Sequence, residues 1–289
     1  MFRSGPIWIV LSILCAFFLA LTDLFTKKYS GRFSAGEIAF GRIVYSVPVL
    51  WLYAVIDGIP AIDARIGWVY LLALPLETVA LLLYIKALSL SPLSLTTPFL
   101  SFTPVFLVLT SPVMLGEYPS ANGIMGIILI VSGAYLINVS SVRQGILDPF
   151  RRIFREKGPL LMLIVAFIYS LTSNFGKMGV LYSSPSFFAA SYFSLLALVF
   201  SFPVVKRSGM KAIFAKELVL IGGLSSIMIS FHMAAIRLVQ VSYMISIKRS
   251  SLLFGIVFGV FFLKETGLRA KLAAGLVMVI GMLIISFAG

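Results

Sequence analysis

Ten apolar segments, each roughly 20 residues long, follow one another along the chain. A helix of roughly 20 apolar residues can cross the hydrocarbon core of a bilayer, which is about 30 Å thick. Backbone N–H and C=O groups find no partners in lipid, so a chain crosses a bilayer as helices or as a closed barrel. The sequence therefore predicts an all-α membrane protein with ten transmembrane helices. The predicted spans cover residues 7–27, 34–56, 66–88, 92–115, 119–139, 159–178, 185–205, 214–237, 241–263 and 267–288.

The composition agrees with a membrane protein. Of the 289 residues, 60% are hydrophobic and only 11% are charged, whereas soluble domains carry about 25% charged residues. A net charge of +13 would suggest a nucleic-acid partner for a soluble protein. In a membrane protein, however, basic loop residues set the orientation and contact anionic headgroups. We therefore expect membrane lipids as partners and no nucleic acid.

Signatures of enzymes and cofactor sites are absent from the sequence. It contains no HExxH, GxSxG or GxxxxGK[ST] motif, and its single cysteine and single histidine cannot build a disulfide or a histidine-based metal centre. We expect no cofactor, no metal site and no enzymatic activity. Without a nucleotide-binding loop, any transport is expected to be driven by gradients or by exchange, as in an antiporter.

The chain divides into two halves that are similar in sequence. Residues 1–140 hold the first five spans, 141–158 form a basic linker of cytoplasmic type, and 159–289 hold the last five. AFFLALTDLFTKK in span one matches AFIYSLTSNFGKM in span six, and LGE before span five matches LKE before span ten, which aligns Glu117 with Glu265. Because each half has an odd number of spans, the second half enters the membrane inverted, as in many secondary transporters.

The distribution of basic residues predicts the orientation. Of the Lys and Arg residues in the loops and termini, 15 lie on the face that carries the linker and 4 on the opposite face. The face with more Lys and Arg is usually cytoplasmic, so the count places the linker in the cytoplasm and both termini outside. We expect a multi-pass protein of the cell membrane, either a plasma membrane or a bacterial inner membrane.

Charged residues inside the spans are the main candidates for function. A charge at mid-membrane costs about 2.5–3.5 kcal/mol on insertion scales, so such residues usually face a cavity or a partner. Lys248 and Arg249 are adjacent in span nine, and Lys177 and His232 lie near the same face, at the ends of spans six and eight. This pattern suits a phosphate or a carboxylate. A structural ion pair with Glu77 in span three is the alternative, and Glu77 is otherwise a candidate site for proton coupling.

Three further residues are weaker candidates for a central cavity. Tyr84 and Tyr243 could line it together with His232, which is more often a hydrogen-bonded interior residue than a ligand. Arg42 in span two is a candidate for the cavity wall or for helix packing.

Two patterns concern helix packing. Ser251, Gly255 and Gly259 are spaced four apart in span nine, and such a stripe of small residues lets helices approach closely. Pro98 and Pro104 in span four free backbone carbonyls and can bend that helix.

The order of these features resembles the drug/metabolite transporter superfamily and, within it, the EamA-domain proteins, over the whole chain. The segment IKRSS in span nine is similar to the Lys-Arg pair of the triose-phosphate and sugar-phosphate translocators. That resemblance implies Lys177, Lys248 and Arg249 as ligands of substrate phosphate. It also implies cytoplasmic termini, in conflict with the count of basic residues.

The leading prediction is a secondary transporter of a small, anionic metabolite that works by alternating access and that can function as a monomer. One alternative is a transporter or exporter of amino acids or of other neutral or amphiphilic metabolites, in which the buried charges serve structure or proton coupling. A membrane scaffold or sensor without transport, and an intramembrane enzyme that holds a headgroup, are further alternatives.

Overall fold

The computed structural model describes residues 7–90, 99–139, 156–208, 215–263 and 268–288. Within these ranges the chain forms helices and no strands, which confirms the all-α prediction. Span four before residue 99 and most of the linker lie outside the described residues. The helices are α1 Ile7–Tyr29, α2 Ala35–Val44, α3 Val47–Asp57, α4 Ile66–Leu90, α5 Thr103–Leu115, α6 Ala121–Val139, α7 Lys157–Leu181, α8 Pro185–Ser208, α9 Lys216–Leu238, α10 Val241–Lys248, α11 Ser251–Leu263 and α12 Leu268–Ala288.

These helices correspond to the predicted spans. Span two consists of α2 and α3, and span nine consists of α10 and α11; the other eight spans have one described helix each. Among the described residues, six segments are long and apolar enough to cross a membrane, and four shorter apolar helices lie at the positions of spans four, five, seven and ten. We call the face that carries the turns 58–65, 116–120, 182–184 and 239–240 the terminal face. The linker face is the opposite one, which carries the turn 30–34.

Two spans are interrupted at equivalent places in the two repeats. In span four a turn at Ser101 and Phe102 precedes α5, and in span nine a turn at Arg249 and Ser250 separates α10 from α11. The two turns are related by the same sequence offset that aligns Glu117 with Glu265. Both are closed by bonds from residue i+3 to residue i, with N···O distances of 3.1 Å to the Phe99 carbonyl and 2.9 Å to the Ile247 carbonyl.

The break in span four has a direct cause in the sequence. Pro104 occupies the first turn of α5, where its missing N–H costs nothing, but its ring prevents the helix from continuing in the N-terminal direction. The bend predicted from Pro104 is therefore present as a helix start. Span nine has no proline at its break, and the interruption there was not predicted.

The glycines at close helix–helix contacts differ from those that the sequence predicted. A Cβ at Gly281 of α12 would lie 2.7 Å from the Gly126 carbonyl oxygen of α6, so these two helices touch backbone to backbone. Gly255 is exposed, and a Cβ there would meet no atom within 4 Å. The predicted packing stripe is thus not a close contact at Gly255; Ser251 is half-buried, and the side-chain surroundings of Gly259 lie outside the described part.

Helices of the two repeats pack against each other in pairs. The helix α1 packs along α9, α4 along α7, and α6 along α12, so spans one, three and five each contact a span of the second half. This interleaving brings polar positions from both repeats to the same interior region.

Candidate functional site

A cluster of ionisable and phenolic side chains lies among the spans. They come from α1, α2, α4, α7, α9, α10 and the turn after α10, and each interacts electrostatically with at least one other member. We call this group the central cluster; its members are Asp23, Arg42, Glu77, Tyr84, Tyr169, His232, Lys248 and Arg249. The cluster therefore combines residues of six spans and of both repeats.

The two cations of span nine lie beside the breaks. Lys248 ends α10, and its Nζ is 3.4 Å from Nδ1 of His232. Arg249 lies in the turn itself, and its Nη2 donates a 3.0 Å hydrogen bond to Oγ1 of Thr103, the first residue of α5. This bond connects the break in span nine directly to the break in span four. The Nε of Arg249 is buried and makes no hydrogen bond with the described residues.

Neither cation has a carboxylate partner in the described part of the chain. No Asp or Glu oxygen there lies within 4.0 Å of Lys248 or Arg249. Glu77, the predicted alternative partner, lies beside Thr172 of α7 and interacts with Lys248 only at longer range. The ion pair that the sequence offered as an alternative to anion binding is therefore not formed here.

Arg42 has a different partner from any that the sequence suggested. Its Nη1 lies 3.2 Å from Oδ1 of Asp23 in α1, and the two side chains are 29% and 56% exposed. Asp23 also interacts with Lys248 and Tyr84, so it faces the interior of the bundle. It lies fewer than two helical turns before the end of α1 on the linker face. Asp23 is therefore the one exposed member of the cluster, and it lies toward that face.

Lys177 lies apart from the central cluster, in a set of contacts at the terminal face. Its Nζ forms an ion pair with Glu117 and donates a 2.6 Å hydrogen bond to the Val239 carbonyl. The other carboxylate oxygen of Glu117 accepts a 2.8 Å bond from the Val241 amide at the start of α10. We call Glu117, Lys177, Val239 and Val241 the terminal clamp. It joins the turn before α6, the end of α7 and the start of α10, whereas the resemblance had implied Lys177 as an anion ligand.

Tyr243 also lies outside the central cluster, and it packs between two helices. Its side chain is 1% exposed. The phenol oxygen accepts a 2.9 Å bond from the Ser120 amide, and a Cβ at Gly123 would lie 2.0 Å from that oxygen. Tyr243 therefore holds the start of α6 against α10. Tyr84 and His232, by contrast, lie in the central cluster.

A second set of contacts at the terminal face joins the turn between spans two and three to the turn between spans six and seven. The Asp63 amide donates a 2.9 Å bond to the Tyr182 carbonyl, and the Arg65 guanidinium lies 4.5 Å from the Tyr182 ring centre. Hydrogen bonds from the Arg65 side chain and amide hold the pKa of Asp63 below its ordinary value. At the linker face, an ion pair joins Arg32 of the first turn to Glu217 of α9.

A separate cavity of about 370 Å³ lies between α5 and α6, and no member of the central cluster lines it. Its walls include Phe102, Ser132 and Tyr135, and its surface is mainly apolar. It therefore does not provide the polar partners that the charged candidates require.

Sequence reasoning missed three residues of the site. Asp23 lies nearer the end of span one than its middle, and the sequence indicated no partner for it. Tyr169 and Thr103 are uncharged, and polar residues of this kind are common in packed transmembrane helices. A signal for Asp23 did exist, because an acidic residue before the end of an apolar span is costly unless it has a partner.

Comparisons with known proteins agree with this architecture. The family described as the EamA-like transporter family matches residues 6–139 and 156–287. A crystal structure of a protein with 14% sequence identity superposes with a TM-score of 0.75, over 99% of this chain and 98% of the other, which shows a shared fold. No curated protein matches the chain significantly. Because the two family matches together cover most of the sequence, the chain belongs to the EamA-like transporter family, a group of membrane transporters within the drug/metabolite transporter superfamily.

Proposed function

We propose that this protein is a secondary transporter that moves a small anionic metabolite across the membrane by alternating access. The observation that carries the proposal is the position of Lys248 and Arg249. Both lie at the break of span nine, beside the equivalent break of span four, and neither has a carboxylate partner among the described residues. Broken helices at the repeat interface are where secondary transporters bind substrate and coupling ions.

The chemistry of the two cations suits a phosphate or a carboxylate. The guanidinium of Arg249 is a planar fork that can bind two oxygens, and the ammonium of Lys248 is a compact charge that can approach a third. The hydrogen bond to Thr103 occupies one guanidinium nitrogen and fixes its plane. An anion at this point would also lie near the N-terminal ends of α5 and α11, where helix dipoles favour negative charge.

Because Lys248 and Arg249 lack carboxylate partners among the described residues, substrate binding can be coupled to the conformational change of the carrier. Two adjacent cations repel each other, and each is costly when water is excluded from around it. An anion that neutralises them lowers the cost of closing the cluster on the linker face. A loaded carrier can therefore pass through the occluded state more easily than an empty one, which favours exchange over net leak.

Alternating access also requires one face to be closed while the other is open. The terminal clamp and the contacts around Tyr182 link the four turns of the terminal face, while Asp23 remains exposed toward the linker face. This arrangement corresponds to a state that is open to the linker face. In the opposite state the terminal clamp must separate.

The test compares a double variant of the site with a matched double variant outside it. Purified protein is screened by thermal shift with inorganic phosphate, glucose 6-phosphate, malate and glutamate, and a stabilising anion is then used in counterflow with proteoliposomes. A ligand at 100 times its Kd stabilises the folded state by about 2.7 kcal/mol. We expect the Lys248→Ala/Arg249→Ala variant to lose both the shift and the counterflow. Lys28→Ala/Arg237→Ala, which removes one Lys and one Arg at exposed positions, should keep both.

Retention of full counterflow by a folded Lys248→Ala/Arg249→Ala variant would overturn the assignment of these residues. A lower unfolding temperature without any ligand effect in the wild type would instead support a structural role for the charges. Lys248→Met and Arg249→Met keep the side-chain volume, so they separate loss of charge from loss of packing.

A further inference from the structure

Asp23 is an unexpected residue in a site for a purely anionic substrate. Its side chain is 56% exposed and its carboxylate interacts with Lys248, so it lies within the electrostatic reach of the cations that would hold the anion. A carboxylate in that place repels phosphate and carboxylate groups and so weakens their binding. Its presence therefore calls for either a structural role or a second ligand group of opposite charge.

The contacts of Asp23 do not fit a purely structural ion pair. Among the described residues it accepts one hydrogen bond, from Nη1 of Arg42 to Oδ1 at 3.2 Å, and Oδ2 accepts none. Structural Arg–carboxylate pairs that contribute stability are usually bidentate and well shielded, and single exposed contacts contribute little. One carboxylate oxygen thus remains available to a hydrogen-bond donor of a ligand.

The formal charges of the central cluster point to the same ligand. The cluster contains the cations Arg42, Lys248 and Arg249 and the carboxylates Asp23 and Glu77. The formal excess is one positive charge, which matches a ligand with one net negative charge better than a phosphate dianion. The positions of the charges also favour a ligand with two opposite charges. Asp23 is on α1, whereas the unpaired cations are at the end of α10.

We propose that Asp23 determines specificity and that the site selects anions that also carry an ammonium group. The phosphate or carboxylate end binds Lys248 and Arg249, and the ammonium donates to the free oxygen of Asp23. This assignment rests on the proposed function, because it uses the same anion site, and it adds the class of substrate. The ligand bridges α1 and α10, which come from different repeats, so its binding depends on their relative position.

Two pairs of probe ligands isolate the ammonium group. O-phosphoethanolamine and 2-hydroxyethyl phosphate differ by an amino group in place of a hydroxyl, and so do aspartate and malate. Affinities are measured by thermal shift titration of the full-length protein. In the wild type we expect the amino member of at least one pair to bind ten-fold more tightly or better, a difference of about 1.4 kcal/mol.

Two variants should change this preference in opposite directions. Asp23→Asn removes the acceptor and releases Arg42 as a third free cation, so the preference should vanish or reverse while the hydroxyl compound binds more tightly. Arg42→Gln leaves Asp23 without its partner, so the preference for the amino compound should increase. Asp63→Asn, which removes a carboxylate at the terminal face whose side chain is 35% exposed, is the matched control and should keep the wild-type preference.

The outcomes separate the two proposals. Equal binding of both members of each pair in the wild type, with loss of binding in Lys248→Ala, would refute the role of Asp23 and leave the anion site intact. An unchanged preference in a folded Asp23→Asn protein would refute it as well. Lower unfolding temperatures in both variants with unchanged selectivity would show that the pair is structural. If no probe of either pair and no anion of the earlier panel shifts the wild type, the proposed function fails together with this inference.

Discussion

The terminal clamp offers a direct test of how the terminal face is held closed. Glu117→Gln keeps the size of the side chain and an oxygen that can accept from the Val241 amide, but it removes the charge that compensates Lys177. Lys177 then keeps only the Val239 carbonyl as a partner. The variant therefore isolates the electrostatic part of the clamp.

The magnitude follows from the burial of the pair. The two side chains are 9% and 15% exposed. Exposed ion pairs contribute about 0–1 kcal/mol, and removal of one partner from a fully buried pair costs about 3–5 kcal/mol. A nearly buried pair with one remaining hydrogen bond lies between these limits, at about 2 kcal/mol. If the clamp exists only in the closed state, this loss shifts the equilibrium toward opening by about 30-fold.

The assay measures access to a residue behind the clamp. Ser242 is 0% exposed and its Oγ has no partner among the described residues, so Ser242→Cys is a small change. In a background with the only native cysteine replaced, Cys15→Ala, the rate of labelling by a membrane-impermeant maleimide reports opening of the terminal face. We expect Glu117→Gln to raise this rate by about 30-fold, in proportion to the open population.

Arg237→Gln serves as the control, because Arg237 is an exposed charge in the last turn of α9 at the same face and forms no ion pair among the described residues. It should leave the labelling rate unchanged. A rate for Glu117→Gln within two-fold of the parent would refute the view that the clamp holds this face closed. That conclusion would hold even if the variant unfolded at a lower temperature, since a purely structural pair lowers stability without changing access.

Other expected outcomes concern packing between helices. Gly281→Ala should destabilise the protein by about 1–3 kcal/mol in thermal unfolding, because the new Cβ meets the Gly126 carbonyl oxygen at 2.7 Å; Gly255→Ala, which meets no atom within 4 Å, should leave the unfolding temperature unchanged or slightly higher. Equal losses in both variants would contradict the close approach of α6 and α12. Tyr243→Phe should cost about 1–1.5 kcal/mol, because the Ser120 amide loses its 2.9 Å acceptor; an unchanged unfolding temperature would show that water replaces the phenol.

Several features of this fold could be predicted from the sequence because they depend on local composition. The length of the apolar segments predicts the spans, and the matching motifs in spans one and six predict a repeat with inverted topology. Pro104 predicts a disturbance in span four, since a proline ring has the same steric effect in any helix. Lys248 and Arg249 were identified as candidates because charge inside an apolar span is costly wherever it occurs.

The partners of the charged residues could not be predicted in the same way. From the sequence, Glu77 was the candidate partner of the span-nine cations, and Lys177 was a candidate substrate ligand. In the fold, Lys177 pairs with Glu117, and Asp23 pairs with Arg42. Each pair links helices that are distant in sequence, and small rotations of a helix decide which of several candidates comes within 4 Å.

The sequence alone determined that the chain crosses the membrane many times, in two related halves, and that it carries unusual charges in its ninth span. The tertiary structure decided which of those charges are paired and which are not. The physical reason is that hydrophobic length and charge cost act residue by residue, whereas an ion pair requires two side chains to meet. That meeting depends on how α1, α2, α7 and α10 pack, and only the folded chain fixes their arrangement.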